Sequence, residues 1–242
     1  MSENRTGGFS RKALVLTGLA MALLGGLLGW FWQGQRTSAI ENVVRNYILA
    51  HPEILPEAME NLRKRESAKQ LAGVKGDLMV PFPGAVLGNP AGKITLVEFS
   101  DFACGYCRQS EADVAALIKA NPDLKVVIRQ LPILSPASAD AARMGLVAAM
   151  QGRYAAFHHA MYAAGRPDST SIAAAARTAG LDLARANQDA ASPQIEAEIE
   201  RNVAIARQLG FDGTPSWVIG DEIHAGAVGK AVLAEAIVKA RG

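Results

Sequence analysis

Ile94-Thr95-Leu96-Val97-Glu98-Phe99-Ser100-Asp101-Phe102-Ala103-Cys104-Gly105-Tyr106-Cys107 is the stretch that decides the fold. Its first six residues are rich in β-branched and aromatic side chains, the composition of a buried strand. Beyond it, Glu111 to Ala120 carries Val114, Leu117 and Ile118 at helical spacing. The two cysteines, the only ones in the chain, therefore sit where a strand hands over to a helix. At a helix N-terminus the free backbone N–H groups and the positive end of the dipole stabilise an anion, which makes Cys104 the attacking thiolate. Cys107 lies one helical turn later on the same side. It can attack a mixed disulfide formed at Cys104, release the product and close an intramolecular disulfide.

Two plainer readings compete. A structural disulfide between Cys104 and Cys107 would close a very short loop and remove little chain entropy. A structural zinc site needs three or four thiolate or imidazole ligands, and His51, His158, His159 and His224 do not stand at zinc-finger spacing from the cysteines. No metal and no cofactor is expected. The 242 residues, half of them hydrophobic, allow one domain with a real core plus appendages. The net charge of +2 is spread over interspersed acids and bases, which argues against a nucleic-acid surface.

The N-terminus points to a membrane. Residues 1–12 contain Arg5, Arg11 and Lys12, and 13–32 are an uncharged stretch long enough to span the hydrocarbon core as a helix. The flanking positive charges keep residues 1–12 in the cytoplasm and send the rest across. The apolar run ends in bulky Trp30-Phe31-Trp32 rather than in a small-x-small cleavage site, so 13–32 is read as an anchor or uncleaved signal, with Thr37-Ser38-Ala39 as the fallback cleavage site.

Past the anchor, residues 38–72 read as two short amphipathic helices, the first carrying Ile40, Val43, Val44, Tyr47 and Ile48, separated by His51-Pro52. Such helices cannot bury an apolar stripe alone. They serve either as a self-association region or as a charged spacer. Pro81, Pro83, Gly84, Gly88 and Pro90 mark 73–92 as a linker or irregular lead-in, with Val86-Leu87 as a short edge strand. The domain proper spans 93–242. Leu124 to Arg129 is a second strand, making a βαβ unit with a parallel pair. An alanine-rich helical insertion follows over about 136–209, with breaks near Gly152, Gly165 and Gly180 and a helix start at Ser192-Pro193. Its last helix presents Ile195, Ile199, Val203, Ala206 and Leu209 as a core stripe. His158 is read as structural and His159 as exposed, because adjacent helical positions diverge. Strands at Ser216–Ile219 and Glu222–His224 and a closing helix with Val232, Leu233, Ile237 and Val238 complete an α/β chain of order βαβ, helices, ββα.

This pattern resembles the thioredoxin superfamily, and more closely the periplasmic Dsb-type oxidoreductases, in which a helical domain is inserted into the thioredoxin fold. The resemblance rests on Cys104 to Cys107, on Glu98 six residues before the first cysteine, where the family places a buried acid, and on Gly213-Thr214-Pro215, similar to its cis-proline loop. It implies that Glu98 accepts and returns the proton of Cys107, with burial raising its pKa, where an ordinary strand residue would be exposed. It also implies that Thr214 and Pro215, with Gly105 and Tyr106 between the cysteines, form the substrate-docking surface for an added extended segment.

Tyr47-Ile48-Leu49-Ala50-His51-Pro52-Glu53-Ile54 is similar to the N-terminal segment of ScsC-like relatives, some of which trimerise through it. Gly105 and Tyr106, and a threonine before Pro215, resemble disulfide isomerases of the DsbC kind more than oxidases of the DsbA kind. The resemblance implies a periplasmic isomerase or reductase acting on cysteine-containing proteins, recharged by a membrane redox partner. A thiol oxidase is the alternative. A Cu(I)-binding copper-tolerance role for the two thiolates is the reading from another class.

Overall fold

The computed structural model describes residues 11–241, with the side chains of 11–13, 31–39 and Asn187 outside the description. Residues 1–10, most of the expected cytoplasmic N-terminus, thus lie outside the described residues. The chain divides between Asn61 and Leu62 into two compact units.

The first unit is built on α1 (Arg11–Ala50), which His51-Pro52 terminates before α2 (Ile54–Ala72) begins. The two short helices expected over 38–72 are thereby corrected: the first is the end of a continuous 40-residue helix. Ile40, Val43, Val44, Tyr47 and Leu49 are exposed along it. Both ends of the span expected over 13–32 fall on side chains outside the description. Among the described residues no helix is long and apolar enough to cross a membrane.

The second unit is a five-stranded sheet clad on both faces. Residues 73–92, expected to be irregular, hold α3 (Lys75–Met79) and the edge strand β1 (Val86–Gly88). Gly84 turns the chain between them at φ +87°, where a Cβ would run into the Ala149 carbonyl oxygen. Then come β2 (Ile94–Ser100), α4 (Gly105–Ala120), β3 (Leu124–Gln130), the helices α5 (Pro136–Met150), α6 (Tyr154–Ala164), α7 (Ser169–Thr178), α8 (Leu183–Asp189) and α9 (Pro193–Gln208), and finally β4 (Ser216–Ile219), β5 (Glu222–Ala225) and α10 (Gly229–Lys239). Spatial order is β1-β3-β2-β4-β5, with β2 and β3 parallel and every other pair antiparallel. A parallel pair needs a crossover, and α4 supplies it.

Strand alternation sorts the core. Leu96, Leu124, Val126, Ile128, Trp217 and Ile219 join one cluster with α4, α10 and the inserted helices. Val97, Phe99, Val127 and Val218 join the other with Leu71, Val74, Leu78, Ile205 and Leu209. Glu98 and Ser100 share the parity of Leu96, so they point to the α4 side. In α10, Leu233 and Ile237 are buried as expected, but Val232 and Val238 are exposed and lie off the core stripe.

Arg129 of β3 points to the opposite face and is 1% exposed. It donates to Glu198 Oε1 at 2.7 Å and Asn202 Oδ1 at 3.0 Å on α9. It also donates to the carbonyls of Asp77, Leu78 and Val80 at the end of α3. A helix end leaves carbonyls without intrahelical donors, and this guanidinium satisfies them from inside the protein.

Candidate dithiol site

Cys104 is the N-cap of α4. Its backbone is extended, and its Sγ accepts a hydrogen bond from Cys107 N–H at 3.4 Å. The same sulfur lies 3.2 Å from the Thr214 carbonyl oxygen. The Thr214–Pro215 peptide is cis. The site therefore brings together residues 110 positions apart in the chain, the pairing expected from the Gly-Thr-Pro loop. Both cysteines are free thiols, with Cys104 6% and Cys107 1% exposed. Tyr106 projects into solvent, and Gly105 is half-buried.

Glu98 is 1% exposed. Its Oε1 accepts from the Ser100 hydroxyl at 2.9 Å, and its Oε2 has no partner among the described residues. Burial, then the negative charge of Glu111, raises its pKa from 4.5 to about 8, against a smaller opposing effect of the Ser100 hydrogen bond. Burial also pushes the Cys107 thiol far up, and the nearby Glu98 charge adds to it. The two groups thus compete for protons in one enclosed space, the arrangement in which a carboxylate can exchange a proton with a thiol.

Three participants were not anticipated from the sequence. Asp101, 1% exposed, accepts from Ala103 N–H at 2.8 Å through Oδ1 and from Ile133 and Leu134 N–H at 3.0 Å through Oδ2. Its carbonyl accepts from Cys104 N–H at 2.9 Å. It ties the cysteine loop to the segment after β3. Ser100 and Tyr162 form the other addition: their hydroxyls are 2.7 Å apart, and Tyr162 also donates to the Asp101 carbonyl at 3.3 Å. The aspartate before a strand-to-helix turn is a legible local signal. Tyr162, which reaches the site from the insertion, has no local signal.

His158 is fully buried and His159 exposed, as expected, yet both bind one carboxylate, Glu111. Among the described residues no group of three or more histidine, cysteine or acidic side chains is arranged to hold a metal ion.

Comparison with known proteins agrees with the geometry. Residues 37–69 match the copper resistance protein ScsC N-terminal domain. A thioredoxin-like oxidoreductase from Silicibacter pomeroyi DSS-3 is 42% identical, with 64% of this chain and 91% of that one covered at a TM-score of 0.62. The thiol-disulfide exchange protein α-DsbA2 from Wolbachia pipientis is 27% identical over 74% of this chain and 97% of that one, with a TM-score of 0.68. A linker-deletion variant of Proteus mirabilis ScsC is 26% identical over 84% and 94%, with a TM-score of 0.65. Among curated proteins, the Na(+)/H(+) antiporter NhaA 1 of Salinispora arenicola is 29% identical over 182 residues, and the chain spans only 28% of its length. The DSBA-like thioredoxin domain matches residues 95–238. With that match over more than half its length, the chain belongs to the family of DSBA-like thioredoxin domains.

Proposed function

We propose that this chain is a periplasmic protein disulfide oxidoreductase working through Cys104 and Cys107, used as an isomerase or reductase. The observation that carries the reading is the Cys104 sulfur at a helix N-cap, between the Cys107 N–H and the Thr214 carbonyl, with buried Glu98 behind it. Cys104 attacks a substrate disulfide, and one substrate sulfur leaves as a thiolate. Cys107 then passes its proton to Glu98 and attacks Cys104, expelling the second substrate sulfur. Thr214 and Pro215, with Gly105 and Tyr106, dock an extended substrate segment at that sulfur. A membrane redox partner resets the pair. Residues 13–32 hold the chain in the inner membrane with the domain on the periplasmic side, and residues 38–72 assemble copies, as homotrimers. The match of 37–69 to an ScsC N-terminal domain and the exposed apolar face of α1 carrying Ile40, Val44 and Leu49 support the assembly.

The test is recovery of a scrambled-disulfide protein by the reduced full chain in detergent, beside Cys104→Ala and a Val44→Glu/Ile48→Glu pair. Recovery that needs both Cys104 and the apolar face of α1 supports an assembled isomerase. Rapid oxidation of a reduced protein without any recovery makes the chain a thiol oxidase instead. Retention in membranes after alkaline carbonate extraction checks the anchor, and release into the soluble fraction rejects it. The copper-resistance name of the matched N-terminal domain favours one other reading, Cu(I) on the two thiolates. Stoichiometric Cu(I) binding without disulfide exchange would establish it.

A further inference from the structure

Helix α4 carries more than the two thiols. Glu111 follows Cys107 by one helical turn, and residues four apart are neighbours on a helix surface. Its side chain is 16% exposed and is held on both oxygens by consecutive residues of α6. His158 Nε2 stands 2.7 Å from Oε1, and His159 Nδ1 stands 3.0 Å from Oε2. His158 is wholly buried, with its ring centroid 5.6 Å from Phe102 and 5.0 Å from Tyr162. Through Tyr162 and Ser100 this cluster is continuous with Glu98. The exchange steps set out above use neither histidine nor Glu111.

The charges around Glu111 narrow its role. Glu98 of β2 is reached from it through His158, Tyr162 and Ser100, and its own helix carries the two thiols and the exposed Arg108. From α6 come the two histidines, with the rings of Tyr154 and Tyr162 against His158, while β1 brings Leu87 and Gly88. Burial pushes the Glu111 carboxyl up, but the hydrogen bonds and charge of His158 and His159 outweigh it and hold it below the usual carboxylate range. Glu111 is therefore an anion held at a partly buried position, where charges act at longer range than in bulk water.

We propose that Glu111, clamped by His158 and His159, is a positioning residue for the redox pair: its fixed negative charge makes Glu98 a stronger base toward Cys107. This rests on the dithiol exchange proposed above. In the resolving step the Cys107 proton goes to Glu98, the Cys107 sulfur bonds to Cys104, and the electron pair of the broken bond leaves on the substrate sulfur. Glu111 transfers nothing. It raises the pH at which Glu98 can take the proton, adding to the larger effect of burial.

The test is a single turnover. The full chain in detergent is loaded at Cys104 with thionitrobenzoate, and release of that thiol by Cys107 is followed against pH. The wild-type inflection that vanishes in Glu98→Gln belongs to Glu98. In Glu111→Gln it moves down by about 0.5 to 1 pH unit, and in Glu111→Asp, which keeps the charge, it returns most of the way. An unmoved inflection in a folded Glu111→Gln, or identical profiles for the glutamine and aspartate variants, overturns the proposal. Should Glu111→Gln not fold, the smaller neutral replacement Glu111→Ser takes its place: the inflection again moves down, and an unmoved inflection overturns the proposal. A wild-type chain that releases no thionitrobenzoate defeats the dithiol reading itself, a result distinct from any of these.

Discussion

Replacing Glu98 by glutamine should remove a pH dependence from the stability of the whole domain. The carboxyl is enclosed, and its pKa rises from 4.5 to about 8 on folding. The folded state therefore holds its proton more tightly than the unfolded state does. Stability from this group is complete below pH 4.5 and is lost as pH rises toward and through 8. The gap between 4.5 and 8 corresponds to about 5 kcal/mol over the full range, of which about 3 kcal/mol has gone by pH 7. The glutamine side chain keeps an acceptor for the Ser100 hydroxyl and never ionises. Denaturant midpoints of the reduced full chain in mild detergent, measured from about pH 5 to 9, should show Glu98→Gln gaining on the wild type by about 1.4 kcal/mol per pH unit up to about pH 8, then levelling. Parallel curves for the two proteins would refute the reasoning, since they would mean that Glu98 titrates alike in both states.

Three further outcomes follow from the same geometry. Arg129→Leu should cost about 3 to 5 kcal/mol, because it strands Glu198 and the α3 carbonyls, whereas Arg129→Leu/Glu198→Leu should recover part of that loss; denaturant midpoints decide, and equal losses would deny the coupling. Asp101→Asn, which leaves one acceptor oxygen for three backbone donors, should lower stability by about 1 to 3 kcal/mol and speed hydrogen exchange at Ala103, Ile133 or Leu134; unchanged exchange at all three would contradict the assigned bonds. Alkylation of the native reduced chain at about pH 7, read by peptide mass, should label Cys104 well before Cys107, whose thiol burial keeps protonated; equal labelling would contradict the enclosure of Cys107.

Much of this arrangement is written locally in the chain. The strand and helix flanking the cysteines follow from periodicity, and the parity of β2 is enough to turn Glu98 inward with Leu96. The breaks at Gly152, Gly165 and Gly180 and the start at Pro193 are also local, and helices α5, α6, α7 and α9 begin or end beside them. What escapes is whatever depends on partners far along the chain. Arg129 looks like any strand arginine until α3 and α9 close around it, 49 to 73 residues away. Tyr162 meets Ser100 across 62 residues. Diverging directions for His158 and His159 are correct helix geometry, but a carboxylate with two oxygens can bridge them, and only packing of α6 on α4 brings Glu111 there. The His51-Pro52 stop is visible in the sequence, whereas the continuity of α1 up to it is not.

The unequal exposure of the two sulfurs shapes the traffic through the protein. With Cys107 sealed behind Cys104, every partner in the proposed reaction, whether a client to be repaired or the protein that resets the pair, queues for the same seat at one sulfur. Clients and resetting partner then exclude each other, so an excess of either throttles the other's turn. Under that reading each dithiol site shuttles between two communities of partners and cannot by itself hold both at once.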